Sequence, residues 1–153
     1  MDTRIRPVER DDAFALAALR VQQDRERGHA PRDGFLLAYA DAFLADFASY
    51  RGWIAEQGDG RPVGCVLALR VRKLPTLGLP GRPEWWYVQQ VYVSADLRRR
   101  GVATRLVHAV QEAAAAERVR WVRLNASDAG RPFFDAMGFT APRDRLREWL
   151  PSS

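Results

Sequence analysis

Apolar positions recur with a period of two in some stretches of this chain and with a helical spacing in others, and the switches between them mark its elements. Residues 3–8 read as a short strand that Pro7 ends or confines to an edge. Asp11 or Asp12 caps a helix reaching about Glu26, with Phe14, Leu16, Ala17, Leu19 and Val21 on its apolar side. Residues 27–33 contain Gly28 and Pro31 and no apolar pattern, which predicts a loop. A second helix runs over about 34–49, with Phe35, Tyr39, Phe43 and Phe47 spaced by four along one flank. That stripe reads as core, with some rings free to border a cleft.

Gly58-Asp59-Gly60 turns a hairpin between residues 53–57 and 61–72. Residues 74–83 hold Pro75, Gly78, Pro80, Gly81 and Pro83, a loop long enough to shape a binding site. A strand over 85–93 places Trp85 and Trp86 on opposite faces. The helix over 102–117 shares Val102, Leu106, Ala109, Val110 and Ala113 on one face. A strand over 119–125, a short helix over 130–137 and a closing hairpin from 139–141 and 146–150 complete the chain. The order β-α-α-β-β-β-α-β-α-β-β, without repeat or linker, predicts one domain over residues 1–153, a mixed sheet with helices on both faces.

Composition narrows the partners. The chain has 153 residues, 47% hydrophobic and 28% charged, as in an ordinary soluble globular protein. No apolar run approaches the roughly 18 residues of a membrane span. The start of the chain has no signal-like stretch. Cys65 is the lone cysteine, so no intrachain disulfide forms. A cytoplasmic protein is expected. The net charge is +5, and Lys73 is the only lysine among the cations. Basic residues are interspersed with acidic ones except at Arg98, Arg99 and Arg100 and around 118–123. That distribution fits a local anion site, with neither a nucleic-acid track nor a membrane surface as partner.

The chemistry concentrates between the strand over 85–93 and the helix that follows, at Leu97-Arg98-Arg99-Arg100-Gly101-Val102-Ala103-Thr104. A helix start offers unpaired amides and a partial positive charge to an anion. Gly101 and Ala103 leave room for oxygens against the amides of Gly101, Val102, Ala103 and Thr104. Each charge–dipole contact is worth only about 0.3–1 kcal/mol, so several amides with an arginine are needed. Arginines beside a helix N-terminus oppose its dipole, which itself favours a bound anion.

This order of elements and two motifs resemble the GNAT superfamily of acyl-CoA-dependent N-acetyltransferases. Arg98-Arg99-Arg100-Gly101-Val102-Ala103 matches its Arg/Gln-x-x-Gly-x-Gly/Ala signature, and Gly138-Phe139 matches the end of its C-terminal signature. Counting back from there places Phe134 at the family's Tyr, Gly130 at its Ala and Ser127 at its Asn. The resemblance implies an α/β (α+β) fold with a mostly antiparallel sheet of six to seven strands. It implies acetyl-CoA as cofactor, its diphosphate on Arg98 through Thr104 and its pantetheine arm on Val91, Tyr92 and Val93. The strand near 124–127 would splay away to admit that arm, with Ser127 and Phe134 beside it. The acceptor is then a primary amine of a small molecule or peptide, and a homodimer through exposed strand edges is allowed by resemblance.

The same alignment removes parts of the usual machinery. Phe134 cannot donate the proton that the family's Tyr gives to the departing thiolate. A thiol of pKa about 8.5 leaves tolerably without it, whereas an alkylamine of pKa about 10.4 is roughly a thousandfold protonated near neutrality. A base therefore matters more, worth about 10²–10⁴. Gln89 and Gln90 stand where members often carry a carboxylate. Glu84, at the start of that strand, is the nearest candidate base, acting through water; Asp24, Glu26 and His29 follow if the first interhelix loop covers the acceptor. His108 and Asp128 read as solvent and capping residues, and Cys65 as core. No metal-ligand cluster and no Ser/His/Asp arrangement occurs. The alternative to an enzyme is a catalytically idle acyl-CoA sensor.

Overall fold

The computed structural model describes residues 2–151. One five-stranded sheet has its strands in chain order: β1 (Arg4–Pro7), β2 (Tyr50–Glu56), β3 (Pro62–Arg72), β4 (Glu84–Val93) and β5 (Val122–Leu124). The first four run antiparallel, and β5 lies parallel to β4. Helices α1 (Ala13–Glu26) and α2 (Phe35–Ala45) precede β2, α3 (Val102–Ala116) connects β4 to β5, and α4 (Arg131–Ala136) follows β5.

Alternation along the strands splits the apolar residues between two clusters. Val66, Ala68, Trp86 and Val88 pack with Val102, Leu106 and Val110 of α3 on one face. Ile54, Cys65, Leu67 and Tyr92 pack with Leu16, Leu19, Ala40 and Phe43 of α1 and α2 on the other. Full burial of such side chains is worth about 1.5–3 kcal/mol each. Burial pushes the Cys65 thiol up to about 12, so it is a core residue and no nucleophile. Two charge-assisted hydrogen bonds from Arg6 to the Asp12 carboxylate, both 2.8 Å, tie β1 to the start of α1.

A bulge decides what β4 presents. Leu67 pairs with Gln90 and Ala68 with Val88, which leaves Gln89 without a partner. Before it, Trp86 and Val88 face α3; beyond it Val93 faces α3, while Tyr92 and Gln90 face α1 and α2. Gly64 is required opposite, because a Cβ there would sit 2.7 Å from the Tyr92 carbonyl oxygen.

Several sequence expectations are corrected. The sheet has five strands, not six to seven. The closing hairpin over 139–141 and 146–150 does not form, and these residues carry no regular structure. Leu146, Trp149 and Leu150 stay more than two-thirds exposed, so strand formation there would bury no apolar face. The strand expected over 119–125 shrinks to Val122–Leu124, since its register with β4 ends at Val88. Helix α2 stops at Ala45 and gives way to a single 3-10 turn, Phe47–Ser49, before β2, which starts at Tyr50 rather than at 53.

Candidate functional site

Beyond the Val88–Leu124 pair, β4 and the chain after β5 diverge, and the gap between them is a groove of about 650 Å³. Val91, Tyr92, Val93, Arg98, Ala103, Ser127 and Phe134 all border it. The chain thus brings together residues that lie more than forty positions apart. Arg99, Arg100, Gly101, Val102 and Thr104 lie outside its lining, and the Val102 side chain is buried against the core.

The Val91 carbonyl accepts a bond from Gln23 Nε2 at 3.1 Å, and the Val93 carbonyl one from Arg98 Nε at 3.0 Å. On an antiparallel strand a residue's N–H lies on the same side as its C=O. The Val91 and Val93 amides therefore face the groove as donors, while their carbonyls are already engaged. Ser127 turns the chain into α4: its Oγ accepts from the Gly130 amide at 3.1 Å. Phe134 meets Phe133 and Phe139 edge-on, at 5.0 and 5.7 Å between ring centroids, and gives the groove an apolar wall.

At the start of α3, Gly101 takes the left-handed conformation (φ +78°), as does Arg99 (φ +61°). Only glycine adopts it without strain, so the sequence marks the turn. Among the described residues no acceptor engages the amides of residues 99 through 104, which leaves them free as donors. Arg98 is spent on structure, its Nη2 pairing with Glu26 at 2.6 Å. Arg99 and Arg100 are exposed and add positive charge beside the turn.

Glu84 lies elsewhere. It shares the α3 face with Trp86, receives bonds from Arg70 Nε and Nη2 at 3.1 and 3.0 Å, and accepts from Trp86 Nε1 at 2.6 Å. Burial pushes its carboxyl up, but the bonds from Arg70 and Trp86 and the charges of Arg70 and Arg72 outweigh this and hold it below the usual range. It is an ion-pair anchor outside the groove lining, and its role as base is not carried forward. Of the other carboxylates, Glu26 lines the groove but belongs to Arg98, and Asp24 belongs to Arg20. His29 is exposed in the interhelix loop, beside a second depression between α1 and that loop. His108 is exposed, and Asp128 pairs with Arg131 ahead of α4.

Gln23, which lines the groove, and Tyr39, which lies outside its lining but bonds Gln90 there, escaped the sequence reading. Gln23 falls one turn after Leu19 on the buried side of α1, a polar residue at a core position. Tyr39, counted with the aromatic stripe, donates its hydroxyl to Gln90 Oε1 at 2.9 Å. Gln23 Oε1 and Gln90 Nε2 are buried without partners among the described residues. The signal for both lay in glutamines interrupting apolar patterns.

A family model described as the acetyltransferase (GNAT) family matches residues 15–139. No curated protein sequence matches the chain. Among solved structures, an acetyltransferase with acetyl-CoA from Clostridium acetobutylicum is 23% identical with a TM-score of 0.74, covering 99% of this chain and 96% of that one. A GCN5-related N-acetyltransferase from Ralstonia eutropha is 23% identical, TM-score 0.71, covering 97% and 99%. AAC(6')-Iy in complex with the bisubstrate analogue CoA-S-monomethyl-acetylneamine is 22% identical, TM-score 0.70, covering 99% and 100%. These likenesses are of fold.

Proposed function

The chain belongs to the GNAT acetyltransferase family, and on that premise we propose that it moves an acetyl group from acetyl-CoA to a primary amine of a small molecule or peptide. The transfer is by direct attack, with both substrates bound. The observation that carries this reading is the groove at the β4–β5 divergence, floored by free strand amides and ending at the free amides of the α3 turn. The residues fit the group. The amides of Gly101, Val102, Ala103 and Thr104, with Arg99 and Arg100, suit a diphosphate. The Val91 and Val93 amides suit the carbonyl oxygens of a pantetheine arm, and Ser127, Ala103 and Phe134 close its sides. When bound, acetyl-CoA supplies an acetyl group activated as a thioester.

The chain's own contribution is chiefly positional. The Val91 amide is a donor for an acyl oxygen. The only carboxylate lining the groove among the described residues is Glu26, held by Arg98. An attacking amine therefore gives its proton to water, and turnover rises about tenfold per pH unit below the amine's own pKa. Acetyl-CoA at millimolar concentration raises the melting temperature, and acetate or ethanolamine alone does not; no shift overturns the proposal. A panel of primary amines followed by thiol release then tests turnover.

Phe134 and the glutamines at 89 and 90 support a second reading, an acyl-CoA sensor without turnover. Binding of acetyl-CoA with no thiol release from any amine, between pH 6 and 9.5, establishes it.

A further inference from the structure

On the α1/α2 face of the β4–β5 seam, a cluster of aromatic and arginine side chains lies outside the groove lining and adjoins it through Asn125. Val122 and Leu124 face α3, so Trp121, Arg123 and Asn125 face the other way, as does Tyr87, the register partner of Arg123. Asn125 lines the groove and donates to the Tyr87 hydroxyl at 3.0 Å. Arg123 stands two residues before it on the same face, roughly 7 Å along the strand. The Arg123 guanidinium carbon lies 4.6 Å from the Trp121 ring centroid and 5.6 Å from that of Trp85. Two indoles thus fix the plane of its fork, and little side-chain entropy is lost when an anion engages it. Arg120 stacks on Trp121 at 5.0 Å, and Trp121 Nε1 is buried with no acceptor among the described residues. The cluster is rich in positive charge and in donors.

One carboxylate already engages this cluster. Arg123 Nη1 pairs at 2.7 Å with Asp144, in the segment without regular structure after α4. The pair is only partly buried, with 24% and 31% of the two side chains exposed. A carboxylate held by a segment without strand pairing is one that another anion can replace.

We propose that Arg123 is the specificity residue of the acceptor side: it takes an anionic group, carboxylate or phosphate, on the amine substrate, and Asp144 holds that position in its absence. This rests on the acetyltransferase reading above. It fixes the acceptor class as amines bearing an anion a few bonds from the nitrogen, and it disfavours polycationic amines.

Binding is measured first, by titration calorimetry in the presence of CoA, so that the result does not depend on turnover. The probes are ω-amino acids of two to six carbons against their amides, and the matching aminoalkyl phosphates against amino alcohols. The two series separate carboxylate from phosphate. The expected result is binding of the anionic member at least about tenfold tighter in one series, the size of one good charge-assisted contact. Arg123→Gln brings that ratio close to one, and Arg123→Lys restores part of it. Asp144→Asn raises it, because the internal competitor is gone. Equal binding within both series, no binding by either, or a fall in the ratio for Asp144→Asn overturns the inference; the last would make the pair a latch for the C-terminal segment. Failure of the acetyltransferase reading looks different, as loss of the acetyl-CoA melting shift and of thiol release.

Discussion

Replacing Glu84 by Gln separates an anchoring role from a catalytic one. The carboxylate is 15% exposed and accepts three bonds, two from Arg70 and one from the fully buried Trp86. Glu84→Gln keeps the shape but loses the charge opposite Arg70, and its amide nitrogen cannot accept. Removing a hydrogen bond to a charged group costs about 1.5–3 kcal/mol. Because Arg70 is partly exposed and retains water, the lower half of that range is expected. For a chain of this size 1 kcal/mol moves the melting temperature by roughly 2–4 °C, so calorimetry at pH 7 reads a fall of some 3–8 °C. The sign with pH follows from the lowered carboxyl. Its contribution is complete above the unfolded value, about 4.3, and fades as pH falls through the lower folded value. The deficit of the variant therefore shrinks in acid. Per folded molecule, kcat and the pH–rate profile stay as in the parent. A drop of about 10²–10⁴ in kcat without loss of stability would refute this reasoning and return Glu84 to the chemistry.

Gly101→Ala meets no atom within 4 Å of its new Cβ, so the cost is the left-handed backbone alone, about 1–2 kcal/mol. A weaker acetyl-CoA melting shift accompanies that loss, and an unchanged shift would separate the turn from the cofactor. Arg6→Met strands the buried Asp12 carboxylate and costs about 3 kcal/mol in urea unfolding. The Arg6 bonds hold Asp12 below the usual carboxylate range, so that deficit is full at neutral pH and fades as pH falls from about 4, the unfolded value, through the lower folded one. Phe134→Tyr raises kcat by less than about tenfold, because the thiolate departs without an acid; an increase of 10² or more would show that the acid limits the rate. Cys65 resists thiol reagents at pH 8 in the folded chain and reacts only as fast as the chain unfolds, read by mass spectrometry; reaction within seconds would place it outside the core.

How much was legible depended on how local the cause was. The turn at Arg98–Ala103 was readable because glycine at the helix start and a preceding apolar strand are features of a short window, and α1, α3, α4 and β1 to β4 were readable from period and punctuation for the same reason. The place of Glu84 was not legible: its distance along the chain to the turn is short, yet strand alternation puts it with Trp86 on the α3 face, bonded to Arg70 of β3 and outside the groove lining. The 139–150 hairpin was misread because its apolar residues have a strand-like pattern but no face to bury against.

The sequence by itself determined the order of most elements, most of their core residues and the glycine turn ahead of α3, since each follows from backbone preference and the alternation of apolar positions. Tertiary structure alone decided where the groove lies. The bulge at Gln89 switches which side chains β4 turns to each face, and the register with β5 ends after three residues. Those two facts free the Val91 and Val93 amides and set Gln23 on the Val91 carbonyl, while the β4–β5 register itself brings Arg123 against Trp85 and Trp121. Each depends on pairing between residues far apart in the chain, a free energy of the assembled sheet and of no single segment.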